Sequence, residues 1–193
     1  MPEDDNEVLT GNEDENEDEN TDEETEEITM NKLKRSALAH YLNAGFSTTL
    51  STPSPSWSLI GKDVEDLSVE LNPDTETIKN ILDETSVQDK GYEPSFDVDT
   101  YYADPSDGDF YTKLKDIAMN RKTGEDCRTL ILEVLIDKAE GPFDAWVEEV
   151  IVKPTSYGGA QGGVRIPYTV TFTGNRQTGT VTIASKVPTF TPA

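Results

Sequence analysis

The chain has 193 residues, 39 of them acidic and 16 basic, which gives a formal net charge of −23 at pH 7. The length suits one compact domain with its own hydrophobic core, and the basic residues are too few and too scattered to follow a phosphate backbone. One Cys and one His leave little material for a metal centre, and no apolar run approaches the ~20 residues that cross a bilayer, so neither a cofactor nor a membrane partner is expected.

The N-terminal segment carries most of the charge. Residues 1–27 contain fifteen Asp or Glu and no Lys, Arg or aromatic residue, and the rest of the chain has 24 acidic and 16 basic residues, a net charge of −8. Mutual repulsion and the lack of side chains to bury favour an extended chain when such a segment is free. We therefore predict a flexible acidic extension over residues 1–30.

Residues 31–56 are predicted to form a connecting arm and a loop. Lys34 and Arg35 belong to a small basic cluster, and the apolar residues from Leu33 to Leu42 roughly follow helical spacing, which indicates a turn or two of helix. The run Ser47–Ser58 is rich in Ser, Thr and Pro, which is typical of a loop.

From Trp57 onward the pattern changes to that of β-strands. Residues 67–71 alternate between apolar and polar side chains, residues 72–74 have the Asn-Pro-Asp composition of a turn, and a second strand near 75–82 completes a predicted hairpin. Another extended segment is predicted over Tyr92–Val98.

One amphipathic helix follows this region. Its start is expected to be capped by Asp107 or Asp109, and Gly124 is expected to mark its end. A one-sided helix must pack its apolar stripe on another element, and strands surround it. That stripe consists of Phe110, Leu114, Ile117 and Ala118.

The C-terminal part is predicted to be all strand. Apolar residues alternate over 130–136 and 166–173, residues 145–152 are apolar on both faces, and Gly174-Asn175 is expected to be a turn before the strand over 180–183. Seven or so strands with one helix predict a mainly β domain over residues 57–193, a β-sandwich or small barrel with one flanking α-helix.

The sequence offers no catalytic constellation, and we expect a protein that is not an enzyme. The loop Asp104–Asp109 does not match an EF-hand, because its glycine falls fifth and the twelfth residue is Lys115. The glycine-rich run Ser156–Gly163 lacks the Gly-Lys-Ser/Thr ending of a phosphate-binding loop, and its glycines indicate a tight connection close to another surface.

Several segments carry a family resemblance through their order and spacing. They are Lys34–Tyr41, Trp57–Lys62, Leu67–Pro73, Gly91–Asp99, the helix Phe110–Arg121, the glycine-rich Ser156–Gly163, and Tyr168–Gly174 followed by Gly179-Thr180. With these segments, residues 32–190 resemble the tail tube proteins (major tail proteins) of tailed bacteriophages, particularly of phages that infect Gram-positive bacteria. The acidic residues 1–29 depart from the family pattern.

The resemblance implies a tail-tube type of β-sandwich or barrel that forms hexameric rings, which stack into a hollow tube through which DNA leaves the virion. It implies as partners further copies of the chain and the tape measure, terminator and tail tip proteins, with DNA passing through without specific binding. It also implies a place in the virion tail after assembly in the host bacterial cytoplasm. The tube wall would be a continuous sheet, with strand edges paired between subunits.

Within such a tube, the predicted hairpin is expected to line the lumen. Glu70, Asp74 and Glu76 would then face the DNA and repel its phosphates. The acidic extension is expected either to act as a solubilising brush or to keep free subunits apart by charge repulsion. The arm is expected to bridge subunits or rings through Lys34, Arg35 and Tyr41.

Two other interpretations stay open at the level of sequence. The same β pattern would serve an immunoglobulin-like binding module, although the sequence shows neither a signal-peptide pattern nor a pair of cysteines. The chain could also be a tail terminator, or the tube protein of a contractile tail or injection machine.

Overall fold

The computed structural model of the protein describes residues 32–51 and 54–193, so the predicted acidic extension over residues 1–30 lies outside the described residues. The fold is mainly β with one α-helix, as predicted. Within the described residues the strands and helix, in chain order, are β1 Leu38–Asn43, β2 Trp57–Ile60, β3 Pro73–Lys79, β4 Thr85–Tyr92, β5 Ser95–Val98, α1 Asp109–Asn120, β6 Arg128–Leu135, β7 Phe143–Pro154, β8 Tyr168–Ala184 and β9 Val187–Pro192.

Seven strands form one antiparallel sheet in the order β2-β1-β6-β7-β8-β5, with β9 beside the C-terminal half of β8. This sheet curls strongly. The rings of His40 on β1 and Phe96 on β5 have centroids 5.9 Å apart, although the four strand spacings between these strands would separate them by roughly 19 Å in a flat sheet. The sheet is therefore close to a half-barrel, and β3 with β4 forms a separate two-stranded sheet.

Two hydrophobic cores lie on opposite faces of the sheet, and β7 contributes to both. Ala145 and Val147 belong to the second core, with Leu132 of β6, whereas Val150 and Val152 belong to the first core, with the buried residues of α1. The side chains of β7 alternate regularly against β6, so these two pairs point to opposite faces, and each half of the strand is covered by a different core. Each buried Val or Leu contributes about 1.5–3 kcal/mol, so both faces hold the sheet together.

Strand β8 corrects the prediction of a turn at Gly174-Asn175. Residues on both sides of this point pair with the same neighbour, β7, so the chain continues along β7 and does not fold back. Gly174 has a φ of 85°, and the hydroxyl of Thr173 donates to the carbonyl of Glu149 at 2.8 Å. Gly174-Asn175 is therefore a bulge within one long strand. Bulges and turns favour the same residue types, which is why the sequence predicted a turn.

The segment predicted as an arm contributes a strand inside the sheet. A single 3-10 turn covers Arg35–Ala37, and β1 follows it, paired with β2 on one side and β6 on the other. The helical turn or two predicted there is wrong beyond Ala37. Four consecutive residues, His40 to Asn43, are buried, which is the pattern of a strand covered on both faces and not of a one-sided helix.

The hairpin also differs from its prediction. It joins β3 to β4 through a turn at residues 80–84, not through residues 72–74. The side-chain oxygen of Asn80 accepts hydrogen bonds from the backbone N–H groups of Leu82 at 2.9 Å and Glu84 at 3.0 Å, which closes this turn. Residues 67–71 lie instead beside β5, through a bridge between Glu70 and Ser95.

Helix α1 has the predicted buried stripe of Phe110, Leu114, Ile117 and Ala118. It begins after Gly108, with no side-chain cap, so the predicted cap from Asp107 or Asp109 is wrong. It also ends before Gly124, because Arg121 adopts the left-handed conformation and the N–H of Lys122 donates to the carbonyl of Ile117 at 3.1 Å.

Candidate assembly surfaces

Strand β2 ends the sheet with an edge that pairs with no other strand among the described residues. The N–H of Ala44 donates to the carbonyl of Ser56 at 2.7 Å, so the backbone groups of Ser56 point toward β1. Since these groups point alternately toward and away from the neighbouring strand, the N–H groups of Trp57 and Leu59 point away from β1. The side chain of Leu59 is 58% exposed. The strand Trp57–Ile60 carries neither a charge nor a Pro, the usual protection of a strand edge, so it is open to a further strand.

The hairpin β3–β4 is the second exposed surface. Every residue of β3 is exposed, and all but one residue of β4. Its turn carries Ile81, which is fully exposed, and Leu82, which is 72% exposed. A two-stranded ribbon is marginally stable by itself, so this one depends on its turn and on whatever it contacts.

The outer face of α1 is a third surface. The helix carries two lysines, Lys113 and Lys115, and two acids, Asp109 and Asp116, and Arg121 and Lys122 follow its last turn. Lys122 pairs with Asp116 at 2.7 Å, so Lys113 and Lys115 keep their charges unpaired among the described residues. A shallow groove of about 300 Å³ follows the helix. Its lining residues are Thr112, Lys113, Lys115, Asp116, Met119 and Asn120.

Two buried glutamates share an arginine that is 41% exposed, in a charged cluster where β1, β6, β7 and β8 lie side by side. Arg176 has guanidinium nitrogens 2.6 Å from Oε2 of Glu133 and 3.4 Å from Oε2 of Glu148. Oε1 of Glu148 also accepts a hydrogen bond from the N–H of Gly174 at 2.7 Å. The cluster therefore holds the bulge of β8 onto β7.

His40 completes this cluster. Its Nε2 lies 3.3 Å from Oε1 of Glu133 but not in hydrogen-bonding geometry. Burial by itself would raise the pKa of Glu133, but His40 and Arg176 lower it by more, so the net pKa of this carboxyl is below its usual value. Sequence reasoning missed this cluster. The available signal was a Glu within the otherwise apolar run of each strand, Glu133 in β6 and Glu148 in β7.

The residues predicted to face a lumen lie in two places. Asp74 and Glu76 are on β3 of the exposed hairpin, where Glu76 pairs with Lys90 at 2.7 Å. Glu70 is exposed outside the hairpin, at its bridge to Ser95. The structure therefore brings two of the three carboxylates together.

The residues predicted at a subunit interface also lie in different places. Lys34 is exposed just before the 3-10 turn. The guanidinium of Arg35 donates to the carbonyls of Leu38 at 2.6 Å and Leu67 at 2.8 Å, so it ties β1 to the segment before the hairpin. Tyr41 is 6% exposed and packs in the second core.

The Asp104–Asp109 loop is held by an ion pair. Lys62 Nζ lies 2.7 Å from Oδ2 of Asp104 and 3.8 Å from Oδ1 of Asp107. Asp104 also accepts from the N–H of Ser106 at 2.9 Å, which caps the 3-10 turn Pro105–Asp107. The hydrogen bond from Lys62 lowers the pKa of Asp104 well below its usual range. In residues 32–51 and 54–193, no three His, Cys, Asp or Glu side chains are grouped to hold a metal ion.

The glycine-rich run forms a tight connection, as its composition predicts. Gly158 pairs with Arg165 across it, and a Cβ on Gly159 would collide with the carbonyl oxygen of Gly163. Across the described part of the chain, no helix has the length and apolar character to span a membrane.

The chain is similar to known proteins at the level of structure and not of sequence. No protein-family model matches the chain, and no curated protein matches it. The chain is similar to the chain of the "Cryo-EM structure of the anti-feeding prophage cap (AFP tube terminating cap)", with a TM-score of 0.44 and 11% sequence identity, over 77% of this chain and 91% of that chain.

Proposed function

We propose that the protein is a structural subunit of a bacteriophage tail tube, without catalytic activity. Copies would form hexameric rings that stack into the conduit for DNA ejection, with tape measure, terminator and tail tip proteins as partners. Its place would be the virion tail, after assembly in the host bacterial cytoplasm. The order of the sequence segments that resemble tail tube proteins motivates this proposal.

The observation that carries the proposal is the unprotected edge of β2 on a curled sheet. An open edge with outward N–H groups can accept a strand of a second copy, and a curled sheet gives successive copies a rotation that closes a ring. In a ring, the β2 edge would pair with a different strand edge of the next copy, and because two unlike surfaces then meet, the pairing would not stop at a dimer. An isolated binding module would have no use for an unpaired strand edge of this kind.

Strand pairing can be tested at Leu59, because its N–H points outward and serves no bond to β1. Leu59→Pro removes this donor, whereas Leu59→Ala removes the same exposed side chain and keeps the donor. Wild-type protein and Leu59→Ala should form rings or tubes of uniform diameter by negative-stain electron microscopy. Leu59→Pro should stay monomeric, since each interface loses about 1 kcal/mol of hydrogen bonding and meets the proline ring.

Circular dichroism should show the same fold for all three proteins. Tubes formed by Leu59→Pro at the wild-type concentration would contradict edge pairing at β2. Wild-type monomers at every protein and salt concentration would contradict the tube and favour the binding module.

A further inference from the structure

The turn of the hairpin has the properties of a docking element. Ile81 and Leu82 present two adjacent aliphatic side chains to solvent at the end of the β3–β4 ribbon. Apolar side chains exposed together in this way mark contact surfaces. The turn is preformed, since Asn80 accepts two backbone hydrogen bonds and donates from Nδ2 to Glu84 at 2.7 Å. Binding by a preformed turn costs little conformational entropy.

The charge beside this apolar pair is negative. Asp83 and Glu84 follow Leu82 directly, and the hairpin over residues 73–92 contains five acidic and two basic residues. One of the two bases, Lys79, already pairs with Asp83 at 2.8 Å on the exposed surface, an exchangeable contact of small net energy. A fitting partner surface therefore combines an apolar centre with positive charges at its rim.

The groove on α1 has this combination. Met119 is 49% exposed and forms its apolar centre, and a methionine side chain adapts its shape to an incoming group. Lys113 and Lys115 line the groove. The ammonium of Lys115 lies 5.0 Å from the ring of Tyr111, and neither lysine pairs with a carboxylate of the described residues. Both charges are available to an acidic ligand.

We infer that the hairpin turn of one copy docks into the α1 groove of a second copy. Ile81 and Leu82 contact Met119, while Asp83 and Glu84 face Lys113 and Lys115. Since Ile81 and Leu82 are exposed in their own chain, the contact is between copies. The inference rests on the proposed self-assembly, and it names which surfaces meet. The contact joins two different surfaces. Each copy therefore offers one hairpin turn and one α1 groove, and the contact can repeat from copy to copy.

Disulfide trapping tests the contact directly. Leu82→Cys and Met119→Cys are made in separate chains, purified and mixed under mild oxidation, with the buried Cys127 left in place. A disulfide-linked dimer should form in the mixture and exceed the dimer in either protein alone at least tenfold. The matched control mixes Leu82→Cys with Val187→Cys, another exposed aliphatic position. Equal trapping by both partners would overturn the inference.

Charge reversal tests the polar half of the contact. The hairpin variant Asp83→Lys/Glu84→Lys and the helix variant Lys113→Glu/Lys115→Glu should each raise the concentration for self-association about tenfold in sedimentation. A chain that carries all four changes restores opposite charges and should return to within about threefold of wild type. Failure of this rescue, with all proteins folded by circular dichroism, would contradict the pairing.

The outcomes separate this contact from the tube itself. Tubes in the electron microscope without specific trapping would refute the docking site and leave the tube. Specific trapping without tubes would support the docking site and refute the tube. A hairpin variant that associates as wild type does, while Lys113→Glu/Lys115→Glu weakens association, would also refute docking of the turn on α1.

Discussion

Arg176 neutralises charge that the curled sheet buries between β6, β7 and β8. Glu133 and Glu148 share its guanidinium, which also lies over the ring of Trp146 at 5.4 Å. Two carboxylates depend on one cation, so loss of that cation leaves both without a permanently charged partner. A nearby positive charge lowers the pKa of a carboxyl group, whereas burial raises it.

We expect Arg176→Met to lower the free energy of unfolding by about 1–2 kcal/mol at pH 7, because the buried Glu133 and Glu148 lose their cationic partner, while Arg176 itself is 41% exposed and partly screened by water. The low pKa of Glu133 stabilises the fold above the ordinary value of 4.5, and this stability is lost as pH falls through the lower folded value. The difference between wild type and variant should therefore be full at pH 7 and shrink below about pH 4.5. Urea titrations followed by tryptophan fluorescence measure both.

The exposed Lys138→Met is the matched control, since it removes a basic side chain from the surface loop before β7. It should change the free energy of unfolding by less than about 0.5 kcal/mol. A similar small change for Arg176→Met would show that the cluster contributes little to stability.

The elements predicted correctly are those whose pattern is local. The stripe of α1 and the alternation in β6 and the first half of β8 each identify a buried face from neighbouring residues. The errors share a nonlocal cause. Residues 40–43 are buried because β1 lies inside the sheet with a hydrophobic core on each face, and Gly174 forms a bulge only because β7 continues past it.

The surfaces were less predictable than the fold. Glu133, Glu148 and Arg176 each have the sequence context of a surface charge, and only the pairing of three strands brings them together. The bare edge of β2 and the exposure of Ile81 depend equally on which strands do not pair. A hairpin was predicted, but the turn was placed some eight residues too early, at the proline of residues 72–74.

The base of the hairpin carries the charges proposed for the lumen. The reversals Glu70→Lys, Asp74→Lys and Glu76→Lys, introduced together into the phage, should slow or stall DNA ejection, because lysines attract phosphates that carboxylates repel. Tube assembly should persist, since the turn residues Ile81–Glu84 and the edge of β2 are unchanged in this variant. Fluorescence of a dye that binds released DNA follows ejection.

A control with equal charge change uses Asp137→Lys, Glu140→Lys and Asp144→Lys, all exposed near the start of β7. If ejection is unchanged in the first variant, or equally slow in both, the placement of Glu70, Asp74 and Glu76 at the lumen is wrong.

Charge dominates the behaviour of the whole molecule. Each copy has a net charge of −23, of which fifteen negative charges belong to residues 1–27. Copies therefore repel one another before any surface meets. Salt shortens the range of this repulsion, from about 30 Å at 0.01 M to about 10 Å at 0.1 M.

Raising salt from about 10 to 150 mM should lower the concentration for assembly several-fold, because it screens this repulsion. Deletion of residues 1–29 leaves a net charge of −8, so the truncated protein should assemble at lower concentration and respond less to salt. Light scattering against concentration measures both. Identical curves for the two proteins would exclude charge repulsion as the role of the extension and support the solubilising brush.

The root of the hairpin has a mechanical consequence for a stacked assembly. The ribbon joins the body at Asn72 and Glu93, where the N–H of Glu93 donates to the carbonyl of Asn72 at 3.3 Å and Asn72 Nδ2 donates to the carbonyl of Glu93 at 3.1 Å. A ribbon joined to the body at two residues rotates more easily than the paired strands of a sheet slide past one another. Rings held by strand pairing would stay rigid, while contacts made through hairpin turns would let neighbouring rings tilt. Such a filament would bend at the joints between its rings and keep the bore of each ring constant.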